Sequence, residues 1–320
     1  LDRTWLFPLS VIAIHKVGAA YVPLDTNYPT ARLQYMIDDS CANILLTTRQ
    51  DYEDKFNSVF SSTTDNLIVV FVEDVAFKTQ TSPIDLSSPE GNAYMIYTSG
   101  STGQPKGVIL HQAGLWNFIA SIRSLYGHTQ KDRIASHRSF SYAAHVEDIF
   151  IILTVGGSLH IMSDAIRKDP QKIYEFLLSH EITGCGFIAS MTKLLLGSFD
   201  LPLRYITGGG EKFAGFVNCT HPQIIHSYGP TECTTHSSVF LLEKGKQYTS
   251  VPVGEALHNN WMFVVSKTGK LLPKGYQGEL YFAGIQVARG YWNKREINAR
   301  SFLRCPFIAS DKFGRSVKMY

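Results

Sequence analysis

The sequence predicts an α/β protein built mainly on parallel sheet, with an antiparallel β-rich part toward its C-terminal end. Three observations carry that reading. Short apolar runs of strand length alternate with segments of helical periodicity from residue 133 onward. Turn residues punctuate them, among them Asp169-Pro170 and the Gly triplet 208–210. After about residue 250 the helical segments give way to apolar runs joined by turn glycines, the pattern of hairpins.

Taken in order, residues 5–17 repeat in a helical manner and run into the turn-rich "VGAAYVPLD". A second helix follows in "YPTARLQYMIDDS", with Pro29 and Thr30 near its start. "NILLT" and "LIVVF" read as strands, and residues 74–91, rich in Asp, Ser, Thr and Pro, read as a linker. "NAYMIY" is a buried strand; "VILHQAGLWNFIASI" carries Leu115, Phe118, Ile119 and Ile122 at helical spacing. The segment between them, "YTSGSTGQPKGV" at 97–108, is therefore predicted to join a strand to a helix. Further on come the strand "SLHIM", a helix opened by Asp169-Pro170 and carried by Ile173, Phe176 and Leu177, the strand "ITGCGFI", a short helix "TKLLL", and the strands "LRYIT" and "QIIHS". Strands alternating with helices imply right-handed crossovers and parallel pairing. "MFVVSKTGKLLP" and "QGELYFAG" read as antiparallel hairpins.

Bulk properties exclude several function classes. The 320 residues suit about two domains, and 44% apolar with 18% charged residues describe a globular chain. A net charge of only +3, with no arginine-rich stripe among aromatics, excludes nucleic acid as the main partner. The 5 cysteines (41, 185, 219, 233, 305) are scattered without a C-x-x-C pair, which argues against a disulfide framework or thiolate zinc site and suits a reducing cytoplasm. The histidines show no H-E-x-x-H spacing. Apolar runs such as "IFIIL" are too short to span a membrane. "WLFPLSVIAI" is preceded by Asp2 and lacks a small-residue cleavage site, so it is not read as a signal peptide. Opening on Leu1 and stopping at "SVKMY", the chain reads as a piece of a longer polypeptide.

The chemistry concentrates in three loops. In 97–108, Gly100, Gly103 and Gly107 allow close backbone approach, Thr98, Ser99, Ser101 and Thr102 supply hydroxyls, and Lys106 supplies a point charge suited to phosphate. The spacing is neither a Walker A loop, since Lys106 precedes Gly107 rather than Ser or Thr, nor a G-x-G-x-x-G fingerprint. "YITGGGEKF" places Gly208, Gly209 and Gly210 directly after a strand and closes with Glu211. "IIHSYGPTECTT" offers Tyr228 as an aromatic face and Glu232 as a lone acid for Mg²⁺. In open α/β sheets ligands gather at such loops, beyond the carboxyl ends of strands. Together the three describe a nucleoside triphosphate site.

"YTSGSTGQPKGV", "YGPTE" and "GELYFAGIQVARGYWN" resemble core motifs of the adenylate-forming enzyme superfamily, and "GAAYVPLD" with "ARGYWN" resembles the adenylation domains of nonribosomal peptide synthetases. The resemblance spans nearly the whole chain, with the motifs in the family's order. It implies the family's large N-terminal domain, two α/β sheet subdomains plus a small β-barrel, here as a core over 1–320 incomplete at both ends. Residues 1–250 would be mainly the α/β part and 251–320 mainly the barrel-like part. It implies ATP-dependent activation of a small carboxylic acid as acyl-adenylate, then transfer to a phosphopantetheine thiol on a carrier protein, with neighbouring synthetase domains as partners.

By the same resemblance Thr98 to Lys106 hold the departing phosphates, and Gly208–Glu211 with Tyr228 flank the adenine. Ser227, Gly229 and Thr231 belong to the nucleotide site, Glu232 and Thr98 place Mg²⁺, and Thr98, Lys106 and Glu232 form the catalytic set. The acyl pocket is implied at Tyr142, Ala143, Ala144, Glu147, Gly186, Ile206, Gly208, Ser227, Thr235 and His236. Two departures stand out. The family's ribose-binding aspartate and its C-terminal lysine would lie beyond Tyr320. The aspartate that pairs with a substrate α-ammonium is replaced by Ala143 or, if the match is anchored on Phe140, by Ser141.

Three rivals are weighed against this reading. "SMTK" (Ser190–Lys193) with "KTG" (267–269) echoes a serine acyl-enzyme, but no S-D-N lies between them. An acyl-CoA synthetase-like ligase fits the superfamily but not "GAAYVPLD" and "ARGYWN". A catalytically inactive fragment that binds nucleotide or a partner is the third.

Overall fold

Alternation of period two along each strand decides how the largest sheet is covered. The computed structural model describes residues 1–57, 67–75, 85–99, 104–218, 223–311 and 314–320. In chain order the elements of the first half are α1 (Leu6–Lys16), α2 (Thr30–Ser40), β1 (Ile44–Thr47), α3 (Arg49–Asp51), β2 (Ile68–Phe71), β3 (Asn92–Thr98), β4 (Lys106–His111), α4 (Gln112–Tyr126), β5 (Arg133–Ser136), α5 (His145–Leu153) and β6 (Ser158–Ile161). Then follow α6 (Asp164–Arg167), α7 (Pro170–Ser179), β7 (Gly184–Ile188), α8 (Ala189–Ser198), β8 (Tyr205–Gly209), β9 (Ala214–Asn218), β10 (Gln223–Tyr228), β11 (Ser238–Leu241), β12 (Gln247–Ser250) and β13 (Glu255–Ala256). The C-terminal part holds β14 (Asn260–Val265), β15 (Glu279–Gly284), β16 (Gly290–Tyr291), α9 (Arg295–Ser301), β17 (Leu303–Arg304) and β18 (Lys318–Met319).

The main sheet runs β13-β11-β10-β8-β7-β5-β6. Its body from β6 to β10 is parallel, and β11 and β13 add an antiparallel edge. Neighbouring residues on one strand go to opposite cores. Ile134, Tyr205 and Ile225 pack with Leu115, Phe118, Ile119 and Ile122 of α4 and Ile149 of α5. Ala135, Ile206 and Ile224 pack with Ile173, Phe176 and Leu177 of α7 and Leu195 of α8. A parallel sheet needs both faces covered, and these helices supply the two covers. Asp169 caps α7 as its sequence suggests, its Oδ1 accepting from the backbone N–H of Gln171 at 3.0 Å and of Lys172 at 3.3 Å.

One sequence expectation is corrected. Segment 97–108 joins two strands, not a strand and a helix: β3 and β4 pair antiparallel with Thr98 opposite Lys106. Val108 and Leu110 are fully buried while Ile109 and His111 are partly open, an alternation of strand type. A short apolar run reads equally well as strand or helix, and pairing with β3 and β16 decides it. The helix begins only at Gln112, where His111 Nδ1 accepts the backbone N–H of Gly114 at 3.1 Å.

In the C-terminal part, β14 and β15 pair with each other over Asn260–Val265 and Glu279–Gly284 in a four-stranded sheet ordered β14-β15-β18-β17. "SKTG" makes the tight turn after β14, with Ser266 N–H donating to Lys270 O at 2.8 Å and Gly269 at φ +78°. β16 joins the sheet of β3 and β4, so the C-terminal part is stitched to the first half.

Phe118 sits in the core beneath α4 with its ring edge-to-face against His236 at 4.8 Å. Phe118→Ala is expected to cost about 3–5 kcal/mol of stability, measured by equilibrium urea unfolding.

Candidate active site

The residues expected to hold nucleotide meet where β3, β4, β16 and the end of the chain come together. Thr98 is the last residue of β3, its hydroxyl donating to Lys106 O at 3.5 Å, and Ser99 is exposed. Gly100, Ser101, Thr102 and Gly103 lie outside the described residues. Lys106 places Nζ 4.3 Å from the centre of the Tyr291 ring, a cation–π contact. The Tyr291 hydroxyl donates to Glu232 Oε1 at 2.6 Å and lies 3.0 Å from the Tyr320 hydroxyl. Glu232 is 7% exposed, on a single 3₁₀ turn (Thr231–Cys233), and its carbonyl accepts the backbone N–H of Ala288. Burial, then the Glu232 carboxylate, pushes the Tyr291 hydroxyl well above the usual phenol range, and burial pushes Tyr320 up to about 12. Both stay protonated and able to donate. Tyr291 and Tyr320 are members of this cluster that the sequence reading did not single out. Tyr291 and Glu232 are 59 positions apart, and no local pattern ties them.

Two further loops lie side by side because β8 and β10 are parallel neighbours, with Gly208 opposite His226 and Gly209 opposite Ser227. Gly208 and Gly209 complete the strand rather than form a turn, a second correction. Their lack of a side chain matters for packing: a Cβ on Gly209 would come within 2.6 Å of Ser227 O, and one on Gly208 within 2.5 Å of the Phe213 ring. Only Gly210 turns, at φ +79°, in the left-handed region that favours glycine. Glu211 then folds back to accept the backbone N–H of Ser190 at the start of α8, at 2.7 Å. Tyr228 ends β10 at 41% exposure, tilted against Phe282. Gly229 packs tightly on His236 and Ser237, and Thr231 opens the turn that carries Glu232.

The residues expected to line an acyl pocket are organised by one that the sequence reading does not include. Arg138, after β5, directs Nη1 to Glu147 Oε2 at 2.7 Å and to Asp148 Oδ1 at 2.9 Å, and Nη2 to Thr207 Oγ1 at 2.6 Å. Burial alone would pull this guanidinium down, but Glu147 and Asp148 outweigh it and hold the group above its ordinary range. Ala143 is buried, its carbonyl accepting from the Thr235 hydroxyl at 3.0 Å; Ala144 is half-buried, and Tyr142 turns outward at 67% exposure. His236 has Nδ1 3.9 Å from Glu147 Oε2. Gly186, Glu147, His236, Thr235 and Ala143 are thus brought to the α4/α5 side of the sheet. Ile206 and Gly208 are not: Ile206 belongs to the core under α7 and α8, and Gly208 faces Phe213 and Thr192. Period two along β8 puts them on the face opposite Thr207, which lies beside Gly186 in register. Ser227 is buried, with its hydroxyl donating to Gly208 O at 3.4 Å.

The residues of the serine acyl-enzyme pattern serve other ends. Ser190 and Lys193 lie on α8, and Lys267–Gly269 belong to the turn after β14.

The family model described as AMP-binding enzyme matches residues 1–292. The chain belongs to the AMP-binding enzyme family. Among relatives of this AMP-binding enzyme, tyrocidine synthase 1 of Brevibacillus parabrevis is 32% identical over 312 residues, which cover 96% of the chain and 28% of the relative. Gramicidin S synthase 1 of Brevibacillus brevis is 32% identical over 308 residues, covering 95% of the chain and 28% of the relative. The chain thus spans only a small part of the length of these relatives. Its fold is similar to that of a four-domain nonribosomal peptide synthetase bound to AMP and glycine, with TM-score 0.81, 24% identity, and coverage of 100% of this chain and 23% of that one. It is similar too to an N-terminal subdomain from Klebsiella oxytoca in complex with 3-hydroxybenzoyl-AMSN, with TM-score 0.78, 21% identity, and coverage of 97% and 78%. Among the described residues no helix is long and apolar enough to cross a membrane, and Cys41, Cys185, Cys233 and Cys305 are free thiols.

Buried histidines give the AMP-binding enzyme a pH signature. Burial holds His128, His137, His145 and His236 each down to about 4, from 6.5. Between those values the unfolded chain binds more protons than the folded one, so stability rises with pH. Asp148, pushed up to about 7 by burial, acts in the opposite sense between 3.8 and 7. Four histidines outweigh one aspartate. Stability is expected to fall as pH drops from 6.5 to about 4, measured by urea unfolding at stepped pH. Tyr291→Phe, which strips the hydroxyl donor from buried Glu232, is expected to cost about 1.5–3 kcal/mol in the same assay.

Proposed function

We propose that this chain joins a carboxylic acid to AMP, using ATP, and that the acyl group then passes to a phosphopantetheine thiol on a carrier protein within a nonribosomal peptide synthetase. Neighbouring synthetase domains would be its partners, in the cytoplasm. The observation that carries the reading is the cluster of Lys106, Tyr291 and buried Glu232 beside the exposed face of Tyr228, in a chain of the AMP-binding family.

In this reading the substrate carboxylate attacks the α-phosphorus of ATP. The new bond is carboxyl oxygen to phosphorus, and the bond broken is that from phosphorus to the bridging oxygen, which leaves with pyrophosphate. Phosphoryl chemistry of this kind is positioning and charge neutralisation. Lys106 faces the departing phosphates with Thr98 and the loop residues Ser99 to Gly103. Tyr228 and the Gly208–Glu211 segment flank adenine, with Ser227, Gly229 and Thr231 alongside. Glu232 with the Thr98 hydroxyl suits Mg²⁺, which takes one or two protein carboxylates and leaves its other positions to water and phosphate oxygens. When bound, that ion supplies charge neutralisation at the phosphates. Tyr291 is a positioning residue that orients Glu232.

The acid itself is one without a standard α-ammonium: a hydroxy, keto or aryl acid, or a β- or N-acylated amino acid. Ala143 offers no carboxylate, and Glu147, the one acid among the implied pocket positions, is engaged by Arg138. An ammonium buried there would lack a counter-charge, which is costly. ATP–pyrophosphate exchange across a broad panel of carboxylic acids tests the function. Glu232→Gln and Lys106→Ala are each expected to lower the exchange rate by about 100-fold or more. Full rate and unchanged Mg²⁺ dependence in Glu232→Gln would overturn the assignment of that loop.

A further inference from the structure

The deep end of the implied acyl pocket is filled by the protein's own charge. Arg138 does not belong to the set of pocket positions implied by the family resemblance, yet its guanidinium spans the space between α5 and β8. It contacts Glu147 and Asp148 on one side and Thr207 on the other. Gly186 allows this. A side chain at that position would collide with the guanidinium, whose Nη1 would lie 2.7 Å from a Cβ there, with Nη2 and Cζ nearer still. The cavity that remains against Glu147, Asp148, Gly186 and Thr207 is about 10 Å³, room for about one water. His236 closes the same wall, Nδ1 lying 3.9 Å from Glu147 Oε2, and its Nε2 is buried without a hydrogen-bond partner.

Moving the guanidinium aside would leave two buried carboxylates uncompensated, so the plug is held by more than packing. We propose that Arg138 is a specificity-determining residue of this site. Fixed between Glu147, Asp148 and Thr207, it restricts the pocket to short carboxylic acids bearing a hydroxyl or keto oxygen, and excludes both bulky side chains and an α-ammonium. The inference rests on the adenylate-forming reading above and narrows it. A small hydroxyl or keto group matches the polar wall, to which Thr207 and His236 contribute uncharged groups. A second cation would compete with Arg138 for the same two carboxylates.

Calorimetric titration with AMP and with acyl sulfamoyl-adenosines, stable mimics of the adenylate, separates the possibilities. The unmodified chain is expected to bind AMP, and to bind the glycoloyl and lactoyl analogues at least about 100-fold more tightly than the benzoyl and phenylbutanoyl ones. The glycyl analogue is expected to bind more weakly than the glycoloyl one. The combined variant Arg138→Ala, Glu147→Gln, Asp148→Asn removes the plug without stranding a charge. It is expected to bind the bulky analogues at least about tenfold more tightly than the unmodified chain does, with AMP binding as the control for its fold. Arg138→Lys, the milder change, is expected to move the same way by less, and stands in if the combined variant does not fold. Equal affinity of the unmodified chain for short and bulky analogues, a preference for glycyl over glycoloyl, or continued exclusion of bulky analogues by folded variants would overturn the proposal. In each of those cases AMP binding would leave the adenylate reading standing. Failure to bind AMP at all would overturn that reading and this inference with it.

Discussion

A parallel sheet exposes two apolar faces and is stable only when both are covered, and most of this molecule follows from meeting that demand. Adjacent residues of each strand, Ile134 and Ala135, Tyr205 and Ile206, Ile224 and Ile225, point to separate cores, one closed by α4 and α5 and the other by α7 and α8. The crossovers that place those helices also bring the carboxyl ends of β7, β8 and β10 to one edge. Residues remote in sequence, such as Gly209 and Ser227, meet there in register. The candidate site lies at that edge because loops are where a covered sheet can still present polar groups to a ligand.

The same demand raises the cost of polarity behind the edge. Arg138, Glu147, Asp148 and His236 sit next to a core of isoleucine and phenylalanine, where each charge must find a partner. They do so by binding one another, which gives this side of the sheet a filled, polar interior in place of an open apolar slot. Around Glu232 the solution differs. Among the described residues Glu232 is held by the Tyr291 phenol, itself 3.0 Å from the Tyr320 hydroxyl, and both phenols stay protonated. Lys106 rests on the face of Tyr291 instead of on the carboxylate. Glu147 and Asp148 are engaged by a guanidinium, Glu232 by a phenol.

The β3–β4 hairpin ties these halves together. It carries Thr98 and Lys106 at its tip, buries Val108 and Leu110 beneath, and pairs with β16, which delivers Tyr291. The C-terminal β-rich part therefore contributes Tyr291 and Tyr320 to the cluster around Glu232, while the cluster around Arg138 draws, among the described residues, on ones before 240.

By itself the sequence determined the parallel α/β character, the helix beginning at Asp169-Pro170, the β-rich C-terminal part and the loops around Lys106, Gly210 and Glu232, because each is written in local periodicity or turn chemistry. Only the tertiary structure decided that 97–108 joins two strands, since a short apolar run such as "VILH" takes its form from the strands that pair with it. It alone showed Ile206 and Gly208 facing away from Gly186, because register between β7 and β8 sets which face each residue occupies. Arg138 was also hidden in sequence, and Tyr291 and Tyr320 stand inside "ARGYWN" and "SVKMY" with no sign there of the cluster they join. Their partners lie on other elements, Glu147 nine residues from Arg138 across a change from loop to helix and Glu232 59 from Tyr291. Those pairings arise from the desolvation of buried charge, a force that has no meaning until the chain has closed around it.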